Sequence, residues 1–572
     1  MVRRYVVAPG GRRGTYADIA SALRAADGRR GPARVEIEPG HYPERLTVRG
    51  EVELAAHGEP GSVVVNPAGG SVLDAAGSVV VRGLELVGRD ADVVDLHAGT
   101  LVLDRVAVRA HGGVCLHARR GTAATLTDSE FRYGRVLFSG AAGSVERCRF
   151  TDAADNAVAV IEGGRIALRD SRFTGSRIHG VRVSDARAEL TGCELTGTGQ
   201  AAVCADTRAE MTVTDCVISA VQAEGVLYTG QSRGLMRGCR VSDAEHGVAA
   251  TTGSDPVVRD CVFADCRDTG INVPDEGRGT FENCEVVDAR TVSVLVTRGG
   301  APTVAGCRIV GGHVGVAVVD KGRGRFSRID ARNLRSVALR VREDAKAVFE
   351  DVRVERCAAG LETLGPADTT AELTGGRFDD CELGSVSSGG MSRVTVRGVT
   401  ARRGLVGFSA IEESQLYLDD CEVAEMSMGV LAIGSSMLVA RNLSVTGPDG
   451  PGLGCTGSAF VDVAGSRFAH CGYAAVSAQE MSTGRLVDCS VTGAPGSMAV
   501  QHNGRVEVVS LDSSLRVAKQ FSEPAAPPPP PVVNTYVTYN APVFMKAVTN
   551  SQIAFGNSHV IQRMTTQDGA GS

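Results

Sequence analysis

Three acids recur at nearly equal intervals, Glu162, Asp185 and Asp206, with steps of 23 and 21 residues. If the chain brings such positions side by side, stacked carboxylates offer hard oxygen ligands for calcium or hydrogen-bond acceptors for a sugar. An arginine follows each acid closely, in "EGGR", "SDAR" and "ADTR". A repeated acid–arginine turn neutralises itself, so a solvated structural corner is the plainer reading of the three. Histidines recur at 179, 246 and 313, the first two 67 residues apart. Cysteines stand at 193, 216, 239, 261, 284 and 307, with steps of 23, 23, 22, 23 and 23. A zinc site needs converging thiolates, commonly as paired CxxC spacings, and no such pair occurs.

The interval itself is informative. Each cysteine sits in the same frame, as in "LTGCELTG", "VTDCVISA" and "FENCEVVD". Extended backwards, the frame reaches Ser171, Cys148, Ser129 and Arg105; forwards it reaches Gly398, Cys421, Asn442, Ser466 and Cys489. Self-similarity at a fixed period of this length predicts a solenoid. Within the repeat there is no helical periodicity, only two or three strands of three to five residues separated by Gly, Asp, Asn or Ser. Equivalent residues then stack about 4.8 Å apart along the axis, and the cysteines become an internal ladder of reduced thiols packed as small hydrophobes. By the same spacing His179 and His246 lie three coils and about 14 Å apart, too far to share a metal or a proton. They are turn residues in this reading.

The pattern resembles the right-handed parallel β-helix of the pectate-lyase superfold over residues 35–515, as an all-β solenoid of about 20 coils. Residues 1–34 are expected to cap it, because "TYADIASALRAAD" forms an amphipathic helix with Ile19, Ala22, Leu23 and Ala26 on one face. This opening, with "PGHYPE" at Pro39 to Glu44, is similar to the start of pectin methylesterases. The likeness stops there: the motifs that form their site have no counterpart, and those of polygalacturonases are missing too. No catalytic residue, metal ligand or cofactor is assigned, and the balance leans against an enzyme. Glu162, Asp185 and Asp206 remain the ligand or calcium candidates.

Composition narrows the partners. A net charge of −6 over 572 residues gives no basic footprint for nucleic acid. The N-terminus lacks the apolar core of a signal peptide, and no segment approaches a membrane span, so a soluble cytoplasmic protein is expected. Sequence usage changes after the repeats. Residues 516–531 hold Pro527 to Pro531, a stiff polyproline II linker. Residues 532–572 contain two β-prone stretches, "NTYVTYN" and "SQIAFGNSHVIQ", almost without charge. Uncharged segments with β-branched, aromatic and amide side chains suit in-register stacking between chains. A disordered polar tail, or a strand folded over the last coil, is the plain alternative.

"SQIAFGNSHVIQ" resembles the bacterial amyloid signalling sequences, whose core is similar to the RIP homotypic interaction motif and the fungal PP motif. The motif residues are Asn550, Gln552, Ile553, Phe555, Gly556, Asn557, Val560 and Gln562. The resemblance implies homotypic assembly with a partner carrying a matching motif, an NTPase receptor or a death-type effector of bacterial immunity. The expected function is therefore a non-catalytic recognition or scaffold protein that assembles through its tail. A carbohydrate-active β-helix enzyme, or a carbohydrate-binding protein, is the alternative.

Overall fold

The computed structural model describes residues 2–27, 31–493, 498–502, 505–513 and 516–519. The motif residues Asn550 to Gln562 lie outside them. The described chain is a parallel β-solenoid of about twenty turns with a repeat of about 23 residues. It divides into two compact units. The first comprises the described residues up to His313 with Gly322–Arg325, and the second Val314–Lys321 with the described residues from Phe326 on.

Three short strands make each regular turn of the first unit. Val114–Ala118, Ala123–Thr127 and Glu130–Arg132 are followed by Arg135–Ser139, Ala142–Glu146 and Arg149–Thr151. Each strand pairs in parallel with its equivalent one turn later, placing Leu126 beside Val145 and Phe131 beside Phe150. Alternation sends every second side chain inward. Phe131, Phe150 and Phe173 therefore stack inside, with ring centroids 5.1 and 4.7 Å apart. Burying each such ring contributes about 1.5–3 kcal/mol.

The cysteine frame marks a corner. All sixteen cysteines are buried and free. In the frame, each thiol donates to the carbonyl two residues earlier, from 3.1 Å at Cys261 to 3.6 Å at Cys193 and Cys307. Ser129 and Ser171 make the same bond at 2.8 Å. The residue just before is left-handed, as at Asp215 (φ 52), Asp260 (φ 53) and Asn283 (φ 53). That conformation favours Gly, Asn and Asp, which explains why those types precede the frame. Burial pushes the Cys148 thiol up to about 11.

Three members of the expected frame are displaced by one residue. Arg105 (φ 54), Gly398 (φ 62) and Asn442 (φ 50) are the left-handed corner residues themselves. Val106, Val399 and Leu443 fill the inward position instead, each about 1% exposed or less. The expected strand length also fails in the second unit. There Lys346–Gly365, Thr370–Gly390 and Arg393–Ala410 run for 20, 21 and 18 residues. Pairing with the neighbouring turn persists around their corners, interrupted by register shifts at Cys357/Ala359 and Cys381/Val386.

The N-terminal helix α1 (Ile19–Asp27) buries Ile19, Ala22, Leu23 and Ala26, the predicted face. Its first amides are capped from the solenoid: Ile19 and Ala20 donate to the two carboxylate oxygens of Glu44 at 2.8 and 2.7 Å. Asp18 accepts from the Ser21 amide at 2.7 Å. Within "PGHYPE", Glu44 thus satisfies orphan helix donors, and the Tyr42 hydroxyl donates to the Glu38 carbonyl at 2.8 Å. The strand Arg3–Val7 pairs in parallel with Ala33–Ile37, so pairing begins inside residues 1–34. At the other end, Arg516–Lys519 pairs with Met498–His502, beyond residue 515.

Candidate functional site

The first turns of the solenoid are built on longer strands, Leu46–Ala56, Leu73–Arg82 and Val94–Asp104. Gly50, Gly77 and Gly99 lie in register across them, with φ of 122°, 152° and 83°. A Cβ on Gly77 would approach the Gly50 carbonyl oxygen to 2.2 Å, so only glycine passes this corner. The corner leaves Thr47, Asp74 and Asp95 in register on the strands just before it, with His117 next on Val114–Ala118. The flanking Leu73, Ala75, Val94, Leu96, Leu116 and Ala118 are fully buried. By alternation the acids and His117 face outward.

Asp95 is the centre. It is only 7% exposed. Its two oxygens accept the Arg119 fork at 2.7 Å from Nε and 2.9 Å from Nη2. Burial pushes this carboxyl up, but the hydrogen bonds and charge of Arg119 outweigh it and hold the group below its ordinary range. Between Asp74 and Asp95 the register slips at Ala75/Ala76, inserting His97 as an extra residue. The slip aims its Nε2 at both acids, 3.3 Å from Asp74 Oδ1 and 3.3 Å from Asp95 Oδ2. Arg49 pairs with Asp74 at 3.1 Å. His117 Nδ1 lies 3.0 Å from Asp92 Oδ2. Ligand atoms of Asp92, Asp95 and His117 all lie within 4.8 Å of one another, a spacing that could hold a metal ion.

Further along, the same outward column carries Leu137, Ala159, Arg182 and Cys204. Leu137, Ala159 and Cys204 are at most 9% exposed although they face outward. The column is therefore recessed at these three positions and at Asp95, exposed at Arg182, and polar at Asp74–His117.

The acids singled out by spacing do not converge. Glu162 (φ 55) and Asp185 (φ 47) occupy matching left-handed corners, linked by the Gly163 amide donating to the Asp185 carbonyl at 2.7 Å. Asp206 sits one strand position earlier, beside Ser184, while Thr207 stacks on Asp185. Glu162 accepts from the Ser139 hydroxyl at 2.6 Å. Asp185 has Arg208 of the next turn at 4.0 Å. Asp206 accepts from Arg182 Nε at 2.8 Å and from the Thr207 hydroxyl at 2.9 Å. Burial raises its carboxyl, and these hydrogen bonds with that of Ser184 bring it below the usual range. Neutralisation of Asp185 and Asp206 thus runs between turns rather than within one. His179 donates from Nδ1 to the Ala201 carbonyl at 3.1 Å, and His246 Nδ1 meets the Thr269 hydroxyl at 2.8 Å.

The second unit has its own recessed charge. Arg340 and Glu362 are in register on adjacent turns, with Ser387 and Ser409 following. Glu362 Oε1 accepts from Arg342 Nε at 3.0 Å. Its Oε2 and the Arg340 Nε are buried without a hydrogen-bond partner among the described residues. Burial lowers the Arg340 guanidinium against the opposing charge of Glu362.

The spacing of Asp74, Asp95 and His117 was open to inspection, at 21 and 22 residues. The cysteine frame reaches back only to Arg105 and so does not register Asp74 and Asp95.

A family model supports the fold. The family model described as "Right handed beta helix region" matches residues 156–309 and 267–401, and the fold is a right-handed parallel β-helix. No curated protein matches the sequence. Among solved structures, the pectin methylesterase of Aspergillus niger is 13% identical, with 61% of this chain and 85% of that one covered at a TM-score of 0.16. The mannuronan C-5 epimerase AlgE4 A-module of Azotobacter vinelandii is 11% identical, with 88% and 96% covered at 0.18. The α-1,3-glucanase catalytic unit of Streptomyces thermodiastaticus is 13% identical, with 92% and 71% covered at 0.15. Likeness at this level carries no argument. Among the described residues no helix is long and apolar enough to cross a membrane.

Proposed function

We propose that the protein recognises a ligand along the outward column of its solenoid and assembles through its C-terminal segment. The carrying observation is the in-register column of the first unit, recessed and apolar at Leu137, Ala159 and Cys204 and polar at Asp74, Asp95 and His117. Such a column offers apolar contact together with a few fixed polar groups, the composition of a binding face. The assembly half of the reading rests on the sequence of "SQIAFGNSHVIQ", with a partner bearing a matching motif, an effector or NTPase receptor, or a second copy of the chain. Clustering many copies would raise a weak recognition step through avidity.

The experiment compares the full-length protein with a Gln552→Lys, Ile553→Lys, Gly556→Glu variant. Thioflavin-positive fibres that seed soluble full-length protein are expected from the first and not the second. Monomeric behaviour of both at high concentration would remove the assembly half. A second reading, a carbohydrate-active enzyme or carbohydrate-binding protein, is favoured by the meeting of three acids and two histidines around Asp95. Turnover of an acidic or neutral polysaccharide that disappears in Asp95→Asn would put this reading first.

A further inference from the structure

We propose that Asp92, Asp95 and His117 form a binding site for a divalent transition cation of the zinc type. The argument begins with donor chemistry. Two carboxylates and an imidazole are a mixed oxygen–nitrogen set, and imidazole selects zinc-like ions over calcium and magnesium. The three donor atoms already lie within 4.8 Å of one another, while donors around a zinc-type ion sit about 2.0–2.2 Å from it. A contraction of about 1 Å or less around a central ion closes the set. Asp92 Oδ2 and His117 Nδ1 are 3.0 Å apart, close to the separation of neighbouring ligands on one ion.

The surroundings orient these donors. Arg119 grips both oxygens of Asp95, fixing the carboxylate plane and leaving its outer lone pairs for a cation. His97, inserted by the register slip, bears on Asp95 Oδ2. Among the carboxylates and guanidiniums here, Asp74, Asp92 and Asp95 outnumber Arg49 and Arg119 by one, which favours a cation. To bind the ion, His117 presents the Nδ1 lone pair and carries its one N–H on Nε2, so the contact with Asp92 gives way to the ion; the ring loses no net proton, and no oxidation or reduction is involved.

The site lies on the column used for ligand recognition, but it stands without that reading, and the test below reads cation binding alone. Cobalt(II) titrated into the full-length protein is expected to saturate at one equivalent with visible d–d bands and no thiolate charge-transfer absorption. His117→Ala and Asp92→Asn should each weaken binding tenfold or more. If His117→Ala loses its far-UV circular dichroism, Asp92→Asn decides. Four outcomes would overturn the proposal: no saturable binding at micromolar cobalt, thiolate bands in its place, affinity unchanged in Asp92→Asn, or displacement of cobalt by millimolar calcium.

Discussion

Two acids on outward strand positions, Asp95 in the first unit and Glu362 in the second, are both nearly buried and both face arginine, yet they are not equivalent. Asp95 has a donor for each oxygen, with Arg119 bidentate and His97 beside it. Glu362 has its Oε1 satisfied by Arg342, while Oε2 only faces Arg340 across 3.9 Å. Charge balance and hydrogen-bond balance are separate conditions. The network around Asp95 carries one negative charge in excess, yet both oxygens of Asp95 have donors, whereas Glu362 faces two arginines and has a donor on Oε1 alone. A buried pair without full hydrogen bonding gains little over an apolar replacement, yet its loss by halves leaves an uncompensated charge.

The largest expected effect tests that claim. Glu362→Ala strands Arg340 and Arg342 and should lower unfolding stability by about 3–5 kcal/mol in urea denaturation. Pairing it with Arg340→Leu should recover most of that loss; failure to recover would break the contrast with Asp95. Next, Asp95→Asn gives up the charged half of a bidentate bond and should lose about 1.5–3 kcal/mol at neutral pH. Because Arg119 holds the Asp95 carboxyl below its ordinary value, that contribution is complete above about pH 4 and fades as the pH falls through the lowered folded value. Stability curves of wild type and Asp95→Asn should therefore converge in acid, and parallel curves would show that Arg119 does not set the pKa.

Smaller effects calibrate the comparison. Cys239→Ser should change stability by less than about 1.5 kcal/mol, since Ser129 and Ser171 fill equivalent corners with the same hydrogen bond. A thermal shift as large as that of Glu362→Ala would mean that the thiol ladder depends on sulfur itself. Least of all, Glu210→Gln, which removes the exposed pair with Arg187, should stay within about 0.5 kcal/mol. A larger loss would make surface pairs, and not the recessed ones, the informative class.

How far the sequence led differs by region. The corner frame was legible because two local demands coincide there, a left-handed residue and a small inward side chain capable of bonding the preceding carbonyl. Where Val106, Val399 and Leu443 replace the thiol, only the first demand remains visible, and the frame slipped onto Arg105, Gly398 and Asn442. The long strands of the second unit were not legible, since their continuity depends on pairing with neighbours rather than on their own residues. The Asp95 network was hidden for a related reason. It depends on inter-strand register and on a one-residue slip at His97, and neither leaves a composition signal.

The carboxylate of Glu44 on the first amides of α1 has a bearing on how the chain acquires its structure. It joins two segments only 25 residues apart, so the helix and the first strands can be complete before most of the protein has been synthesised. Every later turn then finds a finished parallel edge about 23 residues upstream. Contacts of such short sequence separation suit vectorial folding on the ribosome, one turn added as each emerges.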